Sequence, residues 1–137
     1  MRQFRMIYPI LLGIVILFTI SCRDDENCHD SISIVNNSDK AIYFDNSYRY
    51  PDTTLYTNPT LDKSYFKMEE HSSKFDYYRN CLEGDFDFTP KILYFIYDAE
   101  TLETTPWDTV CKKYMVLKRY DLSIADLQRM NWTLTYP

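Results

Sequence analysis

The chain has 137 residues and a formal net charge of −5, from 20 Asp and Glu against 15 Lys and Arg. That balance, with no basic cluster, repels phosphate backbones and argues against nucleic-acid partners. Its 2 glycines, Gly13 and Gly84, cannot build a glycine-rich phosphate cradle, which excludes nucleotide binding by the Walker or Rossmann route.

Arg2 and Arg5 stand before an apolar run, Ile10 to Ile20, which ends in Ser21 and Cys22. A basic start, a short apolar core and a small-residue cut site describe a secretory signal peptide. The run falls short of the about 20 apolar residues a spanning helix needs. With a cysteine at the cut site, residues 1–21 resemble a bacterial lipoprotein signal, which implies their removal and acylation of Cys22 with diacylglycerol and palmitate-type chains. Such chains embed at roughly 0.8 kcal/mol per buried methylene, so no membrane helix is needed. Residues 22–30 read as an acidic tether. Within it Arg23-Asp24-Asp25-Glu26 resembles the export signal that places Bacteroidetes lipoproteins on the outer face of the outer membrane. The expected location is the outer membrane, lipid-anchored at the cell surface, with the periplasmic face as the alternative.

Residues 31–137 read as one β-rich domain. Ile32 and Ile34 alternate with Ser31 and Ser33, Asn36-Asn37-Ser38-Asp39 supplies turn residues, and Ala41 to Phe44 returns, which predicts a hairpin. From Asp45 to Asp62 the chain turns irregular, with Pro51 and Pro59 favouring extended backbone before them. Ser64 to Met68 reads as a short strand, and 69–90 shows no clear period. Ile92 to Tyr97 is apolar on both faces, as in a central strand covered on both sides. Thr105, Pro106 and Asp108 have the chemistry of a helix start, giving a helix at 105–113. Met115 to Tyr120 is a further strand. Ser123 with Asp126 forms a capping box, and Leu122 with Leu127 a hydrophobic staple, for a helix at 123–130. Trp132, Leu134 and Tyr136 share one face of a last strand. The expected fold is mainly β, a small β-sandwich with one or two short helices. The alternative is an α+β two-layer fold in which the strand at 91–97, the first helix and the strand at 115–120 form a crossover unit.

With Cys22 acylated, Cys28, Cys81 and Cys111 remain, an odd number for an oxidising compartment. Cys28 and Cys81 lie in polar, loop-like surroundings, while Cys111 lies in a helix candidate as a buried thiol would. A Cys28–Cys81 disulfide is therefore expected, worth roughly 4 kcal/mol by loop closure. Cys28-His29-Asp30, with His71 and Glu69 or Glu70, lacks the paired close spacing of a zinc site, so no metal and no cofactor are expected.

Ile34 to Tyr43, Tyr50-Pro-Asp-Thr53, Leu117 to Leu122 and Asn131 to Pro137 resemble small uncharacterised lipoproteins of Bacteroidetes, a family with no assigned activity. The Asp30-Ser31-Ile32, Asp52-Thr53-Thr54 and Asp108-Thr109-Val110 tripeptides resemble the O-glycosylation acceptor of that group, and Thr53, in a loop, is the best placed.

No nucleophile–base signature accompanies the 2 histidines. Asp85, Asp87, Glu100 and Glu103 do not declare a carboxylate pair of the kind glycoside hydrolysis needs. Aromatic residues make up 17% of the chain, and Tyr43, Tyr48, Tyr50, Tyr56 and Tyr65 crowd one irregular segment. Tyrosine combines a rigid apolar face with a polar tip, which suits recognition of protein or sugar. Tyr48, Tyr50, Asp52, Tyr56 and Asn58 are thus the candidate recognition loop of a non-enzymatic binding module with a protein or glycan partner. A small envelope hydrolase acting on glycan or peptide is the rival reading.

Overall fold

Alternation in the first strand sets the architecture. In β1 (Ser31–Asn36) the side chains of Ile32, Ile34 and Asn36 are buried, and those of Ser31, Ser33 and Val35 face outward. The structure, a computed structural model, describes residues 28–137. The expected signal peptide at 1–21, Cys22 and residues 23–27 of the expected tether lie outside the described residues.

β1 is the middle strand of a 3-stranded sheet, with β4 (Ser72–Tyr77) antiparallel on one side and β7 (Thr133–Tyr136) parallel on the other. A 4-stranded antiparallel sheet has the order β3-β2-β5-β6, from β3 (Lys67–Met68), β2 (Ile42–Ser47), β5 (Ile92–Asp98) and β6 (Lys118–Leu122). Ile32, Ile34 and Leu134 of the first sheet meet Ile42, Phe44, Ile92, Tyr94 and Ile96 of the second in one shared core. This is a small β-rich fold of two packed sheets, as expected from the sequence.

Both strands of the expected hairpin form, but they do not pair: β1 and β2 belong to different sheets. The turn at Asn37–Lys40 is an arch across the core. Asn36 holds it from below, donating to the Lys40 carbonyl at 2.8 Å and the Glu69 carbonyl at 2.9 Å while its Oδ1 accepts from Ser38. Ile32 and Ile34 then face Ile42 and Phe44 across the core rather than lying beside them.

β5 is buried along Ile92 to Tyr97, the central strand covered on both faces. Its second face packs with Tyr43 against Leu55 and two short helices, α3 (Ala99–Thr104) and α4 (Trp107–Lys113). Two helices therefore replace the single one expected. Asp98 caps α3 by accepting from the Thr101 N–H at 2.7 Å, while α4 starts at Pro106 without a side-chain cap. β5 and β6 run antiparallel, so the crossover unit of the alternative fold does not form. Left-handed Tyr114 ends α4, and β6 begins three residues later than expected, at Lys118.

The strand expected at 64–68 is α1 (Lys63–Phe66) followed by β3, because Asp62 accepts from the Tyr65 N–H and nucleates a turn. Region 69–90 contains β4 and α2 (Leu82–Asp85). The capping box predicted at Ser123 and Asp126 is present on α5 (Ile124–Arg129). Cys28 and Cys81 form the expected disulfide, with Cα atoms 4.9 Å apart. It pins the segment before β1 to α2, helped by His29, whose ring stacks on Trp132 at 3.8 Å. Cys111 is free and half-buried, its Sγ 3.6 Å from the Leu55 carbonyl oxygen. Among the described residues no helix is long and apolar enough to cross a membrane.

Candidate functional site

The two-residue period of β2 sends neighbouring polar residues to opposite faces of one sheet. Asn46 points between the sheets, whereas Asp45, paired with Phe95, points to the face that carries Leu55 and α3. Each direction leads to a buried aspartate, and the two are built differently.

Between the sheets lies Asp76 of β4, 1% exposed. Its Oδ2 accepts from Asn46 Nδ2 at 2.7 Å, Tyr78 Oη at 2.7 Å and Tyr94 Oη at 2.6 Å, and its Oδ1 accepts from Tyr65 Oη. Four donors hold one carboxylate, as a buried charge requires. Burial and the neighbouring carboxylate hold the hydroxyls of Tyr65 and Tyr94 in their protonated, donating form. This network ties β4 to β2, β5 and α1.

On the other face Asp45 is 6% exposed and takes no side-chain donor among the described residues. Burial, with the charge of Asp76 adding to it, raises its carboxyl to about 7, eased only by the Asn46 backbone N–H. It lines a hollow of about 260 Å³ with Phe95, Tyr48, Tyr56, Thr54 and Thr57. Arg49, Asn46 and Ser47 complete the rim. Buried polar atoms normally have partners. Among the described residues the buried side-chain hydroxyls without one are those of Tyr48 and Tyr97. Tyr48 lines this hollow, and Tyr97 is close enough for the charge of Asp45 to oppose its ionisation after burial has done so first. Of these two hydroxyls that of Tyr97 lies on the Asp45 side, whereas that of Tyr48 feels the charges of Asp85 and Asp76 and lies toward Tyr78.

The candidate recognition loop divides in two. Tyr48 and Tyr56 line the hollow, and Tyr56 is 53% exposed with the Arg49 guanidinium 4.0 Å above its ring. Tyr50, Asp52 and Asn58 shape the loop instead. Tyr50 packs against the core beneath the Lys91 ammonium, 5.2 Å from its ring, and precedes a cis Pro51. Asp52 accepts from the Thr54 N–H and hydroxyl and from Tyr56 Oη, and those bonds lower its carboxyl to about 2. Asn58 caps the 3-10 turn Pro59–Asp62 through the Thr60 N–H at 3.1 Å. Thr53 sits half-buried between exposed Asp52 and Thr54.

Sequence reasoning missed Asp45, Arg49, Phe95 and the hydroxyls of Thr54 and Thr57. The signal was an aspartate directly following Ala41 to Phe44: β2 continues through it to Ser47, so Asp45 is a strand residue rather than the first of the loop.

A second hollow, of about 380 Å³, lies on the far side of Tyr48, with Tyr78, Arg79, Asp85 and exposed Phe88 in its wall. A third, of about 410 Å³, opens on the outer face of the first sheet between Phe75 and Trp132, with His29 beside it. His29 is bonded to Glu83 at 2.6 Å and His71 to Asp39 at 3.0 Å; neither histidine reaches the Asp45 hollow. Glu103 is held at about 2 by the Tyr43 hydroxyl, Lys63 and Lys67. Among the described residues no group of three or more His, Cys, Asp or Glu converges as a metal site would. Comparison with protein families, characterised proteins and solved structures finds no match.

Proposed function

We propose that this chain is a lipid-anchored lipoprotein of the outer membrane, held by Cys22 and displayed at the cell surface, whose domain binds a glycan through the Asp45 hollow. The observation that carries this reading is the wall that segment 48–57 builds over Asp45 and Phe95. It combines the ring faces of Tyr48, Tyr56 and Phe95 with a carboxyl, hydroxyls and a guanidinium. A sugar has the same two-sided character, with apolar C–H faces and hydrogen-bonding edges, and small concave sites with a few convergent polar groups are where such ligands bind.

The rival reading, a small envelope hydrolase, draws its support from Asp45, a carboxyl raised to about 7 and so able to give up a proton near neutral pH. Hydrolysis of a glycosidic bond by two carboxylates needs a second acid across the site, and the hollow has Asp45 alone.

Glycan-array binding of the wild-type protein and of a Tyr48→Ala, Tyr56→Ala variant tests the reading. Retention of specific glycans by the wild type and their loss in the variant, with an unchanged melting temperature, supports it. Equal retention by both removes the hollow as the site. For display, protease treatment of whole cells is expected to clip the domain; an intact chain after treatment contradicts surface exposure.

A further inference from the structure

The hollow of Asp45 and the one lined by Arg79 meet at Tyr48, and they share an electrostatic pattern. Of the arginines among the described residues, Arg119 is paired with Asp121 and Arg129 with Asp126. Arg49 and Arg79 form no ion pair among the described residues, and each lines one of the two hollows. Arg49 is displayed on the ring of Tyr56, whose hydroxyl is itself tied to Asp52. Asp52 feels the charge of Arg49 only as a minor influence. In a chain where acids outnumber bases 20 to 15, an unpaired guanidinium set in a concavity is a local exception. Guanidinium groups favour carboxylate and phosphate, which accept two parallel hydrogen bonds.

Each hollow also holds one acid, Asp45 in the first and Asp85 in the second. These accept hydrogen bonds and repel a ligand made of negative charge alone. The fitting ligand carries carboxylates for the arginines, hydroxyl donors for the aspartates and an apolar face for the ring that separates them.

We infer that the two hollows form one site for an acidic glycan of the uronic-acid type, with carboxylates on Arg49 and Arg79 and a sugar ring against Tyr48. This rests on the reading of the Asp45 hollow as a glycan site and names the class of glycan. An acidic peptide meets the arginines equally well and offers backbone N–H donors to the aspartates, but it lacks the rigid ring face that a sugar lays on Tyr48.

The test is calorimetric titration of the full mature chain in detergent with three probes. These are tri-galacturonate, galactotriose (the same frame with hydroxymethyl groups for carboxylates) and tri-glutamate. Tri-galacturonate is expected to bind best, and galactotriose roughly tenfold or more weaker, the scale of one charged hydrogen bond. Arg49→Gln and Arg79→Gln, both at exposed positions, should each weaken tri-galacturonate roughly tenfold and galactotriose several-fold less than that, so that the preference for the acidic sugar shrinks. An unchanged melting temperature in both variants excludes a folding effect. Equal affinity for the acidic and neutral trisaccharides, indifferent to both variants, overturns the acidic-glycan assignment and leaves the glycan site standing. Tighter binding of tri-glutamate overturns it in favour of a peptide. Failure of both trisaccharides to bind overturns the assignment, and silence of the wild type on the glycan array overturns the underlying reading as well.

Discussion

Asp45 and Asp76 are both buried and sit on facing sheets, yet only one is furnished with partners. Asp76 receives Asn46, Tyr65, Tyr78 and Tyr94 from two strands, one helix and the segment after β4. Asp45 receives no side chain and opens on a hollow. A buried carboxylate with all its lone pairs occupied can stabilise a fold and has nothing left to offer a ligand. One without donors weakens the fold when ionised and is free to accept from whatever enters. The difference marks the Asp76 network as the joint between the sheets and the Asp45 hollow as the place where the molecule keeps unsatisfied polar capacity.

The largest expected effect is at the joint. Asp76→Ala strands four donors in the core and should cost about 5 kcal/mol of unfolding free energy, read by urea denaturation. A cost below about 1 kcal/mol would show that the network holds nothing together. Next is the disulfide, which closes a separation of 53 residues. Its reduction should cost roughly 4 kcal/mol in the chain-entropy model. It braces α2 and the Arg79 side of the site, so the Asp45 side should still bind a small neutral sugar if the fold survives; loss of that binding in the folded, reduced protein would merge the two regions.

The pH dependence of stability separates the two aspartates further. Burial raises Asp45 from 3.8 to about 7. The folded protein therefore holds that proton more tightly than the unfolded chain. The associated stability is fully present below the unfolded value, falls as pH rises through the window up to about 7, and then levels off. Asp45→Asn should flatten this fall and add on the order of 2–3 kcal/mol at neutral pH, with little change at pH 4. A destabilising effect of Asp45→Asn at neutral pH would mean that the carboxylate is paired after all. The smallest effects are at two tyrosine hydroxyls. Tyr94→Phe removes a donor to Asp76 and should cost about 1–2 kcal/mol, whereas Tyr48→Phe, which removes an unpartnered hydroxyl, should stay within about 0.5 kcal/mol of wild type. Equal losses at the two positions would erase the contrast.

Local chemistry legible in the sequence survived folding where it depended on near neighbours. The Ser123–Asp126 box, the apolar run of β5 and the alternation of Ile32, Ile34 and Leu134 all appear as read. The cysteine pairing followed from polar surroundings and compartment logic and also appears. What failed depended on partners distant in sequence. Asn36 looks like a turn residue, but its side chain bonds Glu69, which turns a hairpin into an arch between sheets. Asp76 is one acid in a stretch without period until Tyr94 and Tyr65 arrive from elsewhere. In the candidate recognition loop, tyrosine count singled out a segment that walls the Asp45 hollow but not the other residues lining it: Asp52 and Asn58 serve the turns, as short polar side chains commonly do, and Asp45, one residue outside the assigned strand, lines the hollow.

The most direct test of the account is backbone amide NMR of the full mature chain in detergent during titration with tri-galacturonate. The account predicts shifts at Asp45, Tyr48, Arg49, Thr54, Tyr56, Arg79 and Phe95, with Asp76 unmoved because its donors stay in place. Shifts gathered instead at Phe75, Asn131 and Trp132 on the outer face of the first sheet, or movement of Asp76 with Asp45 silent, would contradict it.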